Sequence, residues 1–243
     1  MSTVSTFSIL FLGLLLGIKH ATEADHLAAV ATLTAGQNST AQTMKLGVAW
    51  GIGHTLTLML FGGLALWLGT SIPPRMEQAL ELAVSVMLVA LGADVLRRLI
   101  RKPIHFHVHS HGPQVKHVHA HSHTREETNA HASHHHVHQH MPPLRALAVG
   151  MMHGMAGSAA LIALSLTTVS TWSMGFIYIA TFGVGSILGM ALLSVAITIP
   201  LRWFANYLGW WHNAMTGLVG GFSCTLGAFM FYQIGIVDGL VFG

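Results

Sequence analysis

The chain has 243 residues, of which 52% are hydrophobic and only 8% charged, with a net charge of +3 and a single cysteine, Cys224. Soluble domains carry roughly 25% charged residues, so this composition excludes an ordinary water-soluble fold and points to an integral membrane protein. One cysteine excludes an internal disulfide or a dithiol relay, and the sparse Lys and Arg form no basic stripe that could follow a nucleic-acid backbone.

Six stretches are apolar enough to cross a bilayer, which takes roughly 20 residues. They run from about Phe7 to Leu33, Leu46 to Leu68, Ala79 to Ile100, Leu144 to Val169, Met174 to Ile199 and Ala214 to Val237. The expected fold is an all-α polytopic membrane protein with six transmembrane helices. No Lys or Arg precedes Lys19, so the positive region of a cleaved signal peptide is missing, and Met1 onward is read as mature protein. All seven prolines fall between the spans or at their ends, where a missing backbone donor does least harm. Cytoplasmic loops carry the excess of Lys and Arg. With the N-terminus outside, nine such residues, Lys45, Arg97, Arg98 and Arg145 among them, lie at inside edges against Arg75 alone outside. The expected location is the bacterial cytoplasmic membrane, with both termini outside.

The two halves match at an offset of 132 to 135 residues: Gly17-Ile-Lys-His20 with Gly150-Met-Met-His153, Trp50 to Leu56 with Phe182 to Leu188, and Leu91-Gly-Ala93 with Leu226-Gly-Ala228. Three spans per half is an odd number, so the second half is expected upside down. The predicted organisation is a 3+3 inverted repeat, a construction of secondary transporters with the site at the repeat interface. Residues 1–100 form the first repeat, 101–143 a linker and 144–243 the second repeat.

The linker is hydrophilic and holds fourteen of the nineteen histidines, in tracts His105 to His111, His117 to His123 and His134 to His140. Alternate histidines of an extended chain project to one side and offer several imidazoles to a borderline cation such as Zn²⁺, Ni²⁺ or Co²⁺. Low complexity predicts disorder until metal binds, and the charge distribution predicts a cytoplasmic loop. The bland alternative is a solvated tether.

Within the first span lies Lys19-His-Ala-Thr-Glu-Ala-Asp-His26. Ionisable groups at membrane depth cost roughly 2.5–3.5 kcal/mol each on insertion scales, so such a cluster is by default a functional site. On a regular helix at about 100° per residue, His20, Glu23 and His26 share one stripe and Asp25 points about 100° away from His26. Two arrangements follow. Either His20, Glu23 and His26 are the ligands with Asp25 behind them, or the helix unwinds near Gly17 and Ala24 and turns Asp25 inward. A buried polar network neutralised by Lys19 is the structural alternative. In the second span, Gly51-Ile-Gly-His54-Thr55 adds an imidazole just after two glycines, one on either side of Ile52, that permit close backbone approach. His153, the repeat mate of His20, is a candidate from the opposite half, where Ser158, Ala159 and Ser186 replace Asp25, His26 and His54.

These motifs carry a resemblance. Gly17-Ile-Lys-His20-Ala-Thr-Glu-Ala-Asp25-His26 is similar to the HX4DH signature of the nickel/cobalt transporter (NicO/NiCoT) superfamily, and Gly53-His54-Thr55 resembles its second histidine motif. His153 to Ala160 and Phe182 to Gly189 are similar to the six-span branch associated with urease accessory permeases. Lys19 stands where arginine is common and Glu23 where aspartate is, and the acidic DT-type motifs of eight-span members are missing. The resemblance implies a secondary transporter of divalent nickel or cobalt, with His20, Asp25, His26 and His54 binding the ion, and a functional link to urease or hydrogenase maturation. The ion is cargo, and no resident cofactor is expected.

Import into the cytoplasm is the leading direction, and efflux is its rival, since a histidine loop could gather metal for export. There is no phosphate-binding loop for nucleotide hydrolysis. A membrane metalloenzyme would need an open metal position and a general base, and neither an HExxH pair nor a set of histidine boxes is present. A non-transporting metal sensor or storage protein would bind metal without flux. The expected partners are therefore the ion and the lipid bilayer, with no nucleic acid, and a homo-oligomer is compatible with the sequence.

Overall fold

The computed structural model describes residues 3–35, 37, 39–70, 72–101, 105–110, 116–121, 143–156, 171–205 and 209–241. Helices α1 (Thr3–His20), α2 (Ala24–Thr34), α3 (Thr40–Leu68) and α4 (Pro74–Arg101) come from the first half of the chain. Helices α5 (Pro143–Ala156), α6 (Trp172–Ala205) and α7 (Gly209–Tyr232) come from the second, and a π-turn over Gln233–Val237 ends α7. Among the described residues, four helices are long and apolar enough to cross a membrane, namely α3, α4, α6 to Pro200 and Asn213–Val237. They become five if Phe7–His20 and Ala24–Thr34, which meet at 59°, count as one broken span. The fourth span expected from the sequence is described only over Pro143–Ala156, and its remaining residues, 157–170, lie outside the described residues.

The distribution of polarity is that of a membrane protein. Phe7, Leu60, Trp67, Leu192, Leu218 and Phe229 are exposed on the outside of the bundle, while Thr32, Thr34, Ser85, Ser194, Thr198 and Ser223 are buried within it. Lipid offers no hydrogen bonds, so these hydroxyls must be satisfied internally. Thr34 Oγ1 donates to the Val30 carbonyl at 2.8 Å, Ser194 Oγ to Met190 at 2.7 Å and Thr198 Oγ1 to Ser194 at 2.8 Å. Helix α2 is the innermost element, with every residue from Ala28 to Thr34 buried.

Helix packing follows a reciprocal scheme, in which α1 lies on α6, α5 on α3, α3 on α6 and α4 on α7. The contacts are backbone-close and glycine-mediated, as expected where small residues rather than a hydrophobic driving force hold helices together. A Cβ on Gly17 would collide with the Phe182 carbonyl, and one on Gly150 with the Trp50 carbonyl. Likewise Gly53 meets the Leu147 carbonyl and Gly185 the Leu14 carbonyl. At the α4–α7 contact, Gly92 meets the Gly220 carbonyl and Gly227 the Ser85 carbonyl. Every one of these pairs recurs at the 132-to-135-residue offset seen between the halves.

Helix α3 ends on Gly69, whose φ of 63° is the left-handed conformation glycine adopts without penalty. Pro200 closes the apolar span, as expected, although α6 itself continues to Ala205. At the far end of α4, Asp94 accepts from Arg98 on its own helix and from Arg145 on α5, the latter at 2.9 Å. In the linker, β1 (His105–Ser110) pairs antiparallel with β2 (Lys116–His121) in a register that sets His105 opposite His121, His107 opposite His119 and His109 opposite His117. This differs from the expected disorder. Histidine alternating with Phe106, Val108 and Val118 is a period-two pattern, which favours strand. The third tract, His134 to His140, lies outside the described residues.

Gly17→Val and Gly150→Val should each destabilise the bundle by about 1–3 kcal/mol, because the backbone they would strike cannot yield as a side chain does. Gly221→Ala should be nearly neutral, since nothing lies within 4 Å of its added Cβ. Thermal unfolding of the three variants in detergent checks this; equal melting temperatures would remove the close-packing assignment.

Candidate metal centre

The centre is built around a break in the first span. The Thr22 hydroxyl donates to the Lys19 carbonyl at 2.6 Å, and the Thr22 and Glu23 amides bond back three residues, to Lys19 and His20. A threonine competing for backbone in this way disfavours continued helix, and the last turn of α1 tightens. Glu23 is extended, at φ −63° and ψ 150°, and caps α2. Asp25 then falls in the first turn of α2, where the helix dipole favours a carboxylate.

The break settles the geometric choice left by the sequence. Asp25 is turned inward, and its Oδ1 accepts from the His26 amide at 2.8 Å and from His26 Nδ1 at 2.9 Å. Its Oδ2 accepts from His153 Nε2 on α5 at 3.1 Å. Glu23 is turned outward, its side chain 57% exposed, and its Oε1 accepts from His20 Nδ1 at 3.0 Å. An ionised carboxylate only accepts, so each of these contacts fixes a ring N–H and leaves the lone pair on the other nitrogen. Those nitrogens are His20 Nε2, His26 Nε2 and His153 Nδ1, and all three are buried without a hydrogen-bond partner.

His54, on α3, is wholly buried and has neither ring nitrogen bonded. Buried polar atoms are normally satisfied, and each exception calls for an explanation. His20, His26 and His54 bring ligand atoms within 4.8 Å of one another, and so do Asp25, His26 and His153. Donors sharing one ion at about 2.0–2.1 Å can be no more than about 4 Å apart, so either triad reaches coordination by small side-chain movements. His26 belongs to both triads, with ring centroids 4.4 Å from His20, 5.3 Å from His54 and 4.6 Å from His153. Carboxylates behind imidazoles, holding tautomer and orientation, are the usual surroundings of metal-binding histidines.

Backbone contact holds these side chains in place. A Cβ on Gly154 would strike the His54 carbonyl, so α5 carries His153 directly against α3. Ser186 Oγ on α6 donates to the Gly17 carbonyl at 3.3 Å, bracing α1 just before the break. Trp50, fully buried, packs 5.4 Å from His26 and 5.6 Å from His153.

All six residues singled out in the sequence, His20, Glu23, Asp25, His26, His54 and His153, therefore come together, five facing inward and Glu23 standing behind His20. Lys19 is exposed and lines the mouth of the adjoining cavity. Ser158 and Ala159, the counterparts of Asp25 and His26, lie outside the described residues. Sequence reasoning passed over Trp50, and also Glu77 and Glu81, which line the same cavity. Two acids one helical turn apart at the start of a span were the available signal for the latter pair.

The chain is 34% identical over 240 residues to the urease accessory protein UreH of Bacillus sp. (strain TB-90), covering 99% of this chain and 97% of that protein. No family model and no solved structure matches the chain. Identity of this degree along the whole length reflects common descent of the entire membrane part, not a shared local motif, and the chain belongs to the UreH family of urease accessory proteins, the permease branch of the nickel/cobalt transporter superfamily.

Proposed function

We propose that this protein is a secondary transporter that imports Ni²⁺, with Co²⁺ as a further cargo, across the bacterial cytoplasmic membrane. The observation that carries the reading is the buried convergence of imidazole lone pairs on His20, His26 and His54, with carboxylates holding the opposite nitrogens of His20 and His26. Imidazole donors suit Ni²⁺ and Co²⁺, and selectivity against Cu²⁺ then comes from geometry, since intrinsic affinity runs the other way. His153 and Asp25 complete the surroundings from α5 and α2. A urease accessory role, which the name of the Bacillus relative suggests, would give the imported nickel a destination.

The reading includes a 3+3 inverted repeat with three spans on each side of the linker. The reciprocal packing of α1 on α6 and α5 on α3 supports it, as does the recurrence of the glycine–carbonyl contacts at the repeat offset. An inverted repeat places the ion site near mid-membrane between two bundles that can rock against each other. The distribution of Lys and Arg supports an outside N-terminus and a cytoplasmic linker.

In proteoliposomes, His26→Ala should abolish measurable uptake of radioactive nickel, since both candidate triads lose their shared member. Asp25→Asn should weaken apparent affinity by about 10–100-fold, the usual cost of removing a carboxylate that orients metal-binding histidines. Wild-type uptake by both variants would sink the site. Direction is read from growth: cells expressing the protein should become more sensitive to toxic nickel. Increased resistance would mean export.

A further inference from the structure

A cavity of about 440 Å³ adjoins the histidine centre, and His26 and His153 form part of its wall. Its outer part is acidic. Glu77 and Glu81 lie one turn apart on α4, so they share a helix face, and both line the cavity together with Glu23 and Asp25. Among the described residues, Lys19 is the one Lys or Arg on the wall. Both α4 carboxylates are half-buried, and Glu81 stands within electrostatic reach of Glu77, Asp238 and Asp25. Among the described residues, neither Glu77 nor Glu81 forms a salt bridge.

Half-buried like charges that form no ion pair repel one another, and a cation between them relieves that repulsion. A second feature of the same cavity points to such a cation independently. His26 and His153 are 1% and 2% exposed, line its inner wall and each keep one ring nitrogen without a partner. The two ends differ in chemistry. Carboxylates are hard donors that hold a divalent cation through its water shell, whereas imidazoles favour a borderline metal that has shed water. Acidic walls also concentrate cations by focusing the field in a low-dielectric cleft.

We propose that Glu77 and Glu81 form an outer station that captures a hydrated divalent cation and passes it to the centre around His26. The station rests on the transport reading and adds to it a path of approach from the N-terminal end of α4, the side assigned as outside. Glu77 and Glu81 act as positioning residues that raise the local concentration of metal, and the histidines behind them remove its water.

The test is nickel uptake by wild-type and Glu77→Gln/Glu81→Gln proteoliposomes at low ionic strength. KM should rise about tenfold in the variant, within the range by which charged clefts alter encounter, while Vmax stays within about twofold. The difference should shrink at about 0.5 M salt, where exposed charges are screened over a few ångströms. Glu77→Asp/Glu81→Asp, which keeps the charge, should retain a low KM. If the double glutamine variant fails to fold, the single Glu77→Gln and Glu81→Gln variants give the same readout. Wild-type flux with an unchanged KM in the glutamine variant, or a lost Vmax at unchanged KM, overturns the station alone. Absent flux in the wild type overturns the transport reading beneath it.

Discussion

The two oxygens of Asp25 accept from different helices: Oδ1 from His26 beside it on α2, and Oδ2 from His153 on α5. That bridge lies at the break in the first span, which sets α2 at 59° to α1 and leaves Asp25 in the first turn of α2 with its Oδ2 on His153. Asp25 and His26 are neighbours on α2 itself, so the break turns the two together relative to His20. The break has its own requirement, because backbone groups freed within a bilayer must find partners inside the protein. Thr22 and Ser186 answer it by donating to the Lys19 and Gly17 carbonyls. The buried, small-residue helix α2 can then sit at the centre of the bundle.

Precision at the centre comes from backbone contact. His54 and His153 are carried by α3 and α5, which meet where Gly154 faces the His54 carbonyl and Gly53 the Leu147 carbonyl. Side chains as long as leucine at those glycines would hold the helices apart, and the two imidazoles could not converge on His26. Sites on rigid, closely packed elements hold geometry better than sites on loops. Here the glycines next to the histidines set the distance between helices, and the histidines supply the chemistry.

Much of this was legible in the sequence. The glycines on either side of Ile52, just before His54, signalled close approach, and His153, a candidate from the opposite half, lies against Asp25. Five of the apolar stretches correspond to helices or a broken helix pair of membrane-spanning character, and the sixth is described only in its first half. The break at residues 21–23 was harder to see, because it contains neither Gly nor Pro. Its trace was a conflict between a motif that groups Asp25 with His20 and His26 and a helical period that separates them. Glu77 and Glu81 were overlooked for another reason: their one-turn spacing was visible, but acids at the start of a span look like ordinary helix-end residues until tertiary packing shows which face they present. The strand pairing of the linker was visible as alternation, but low complexity argued against assigning it any structure.

The asymmetry of the centre follows from the same packing. Ser186 occupies the position that matches His54 at the sequence offset between the halves, and its hydroxyl donates to the Gly17 carbonyl, bracing the end of α1. A second imidazole there would be too large for a helix contact in which Gly17 meets the Phe182 carbonyl. The first half therefore supplies His20, Asp25, His26 and His54, and the second adds His153 and the close-packed surface against which they are held. On the transport reading, a site so divided has a mechanical consequence. Movement of α5 away from α2 would stretch the Oδ2–His153 contact while leaving the Oδ1–His26 contact intact, because the latter lies within one helix. Rocking of the two halves would thus loosen the metal's surroundings from one side only, giving water access to the ion without dismantling the imidazoles that first received it.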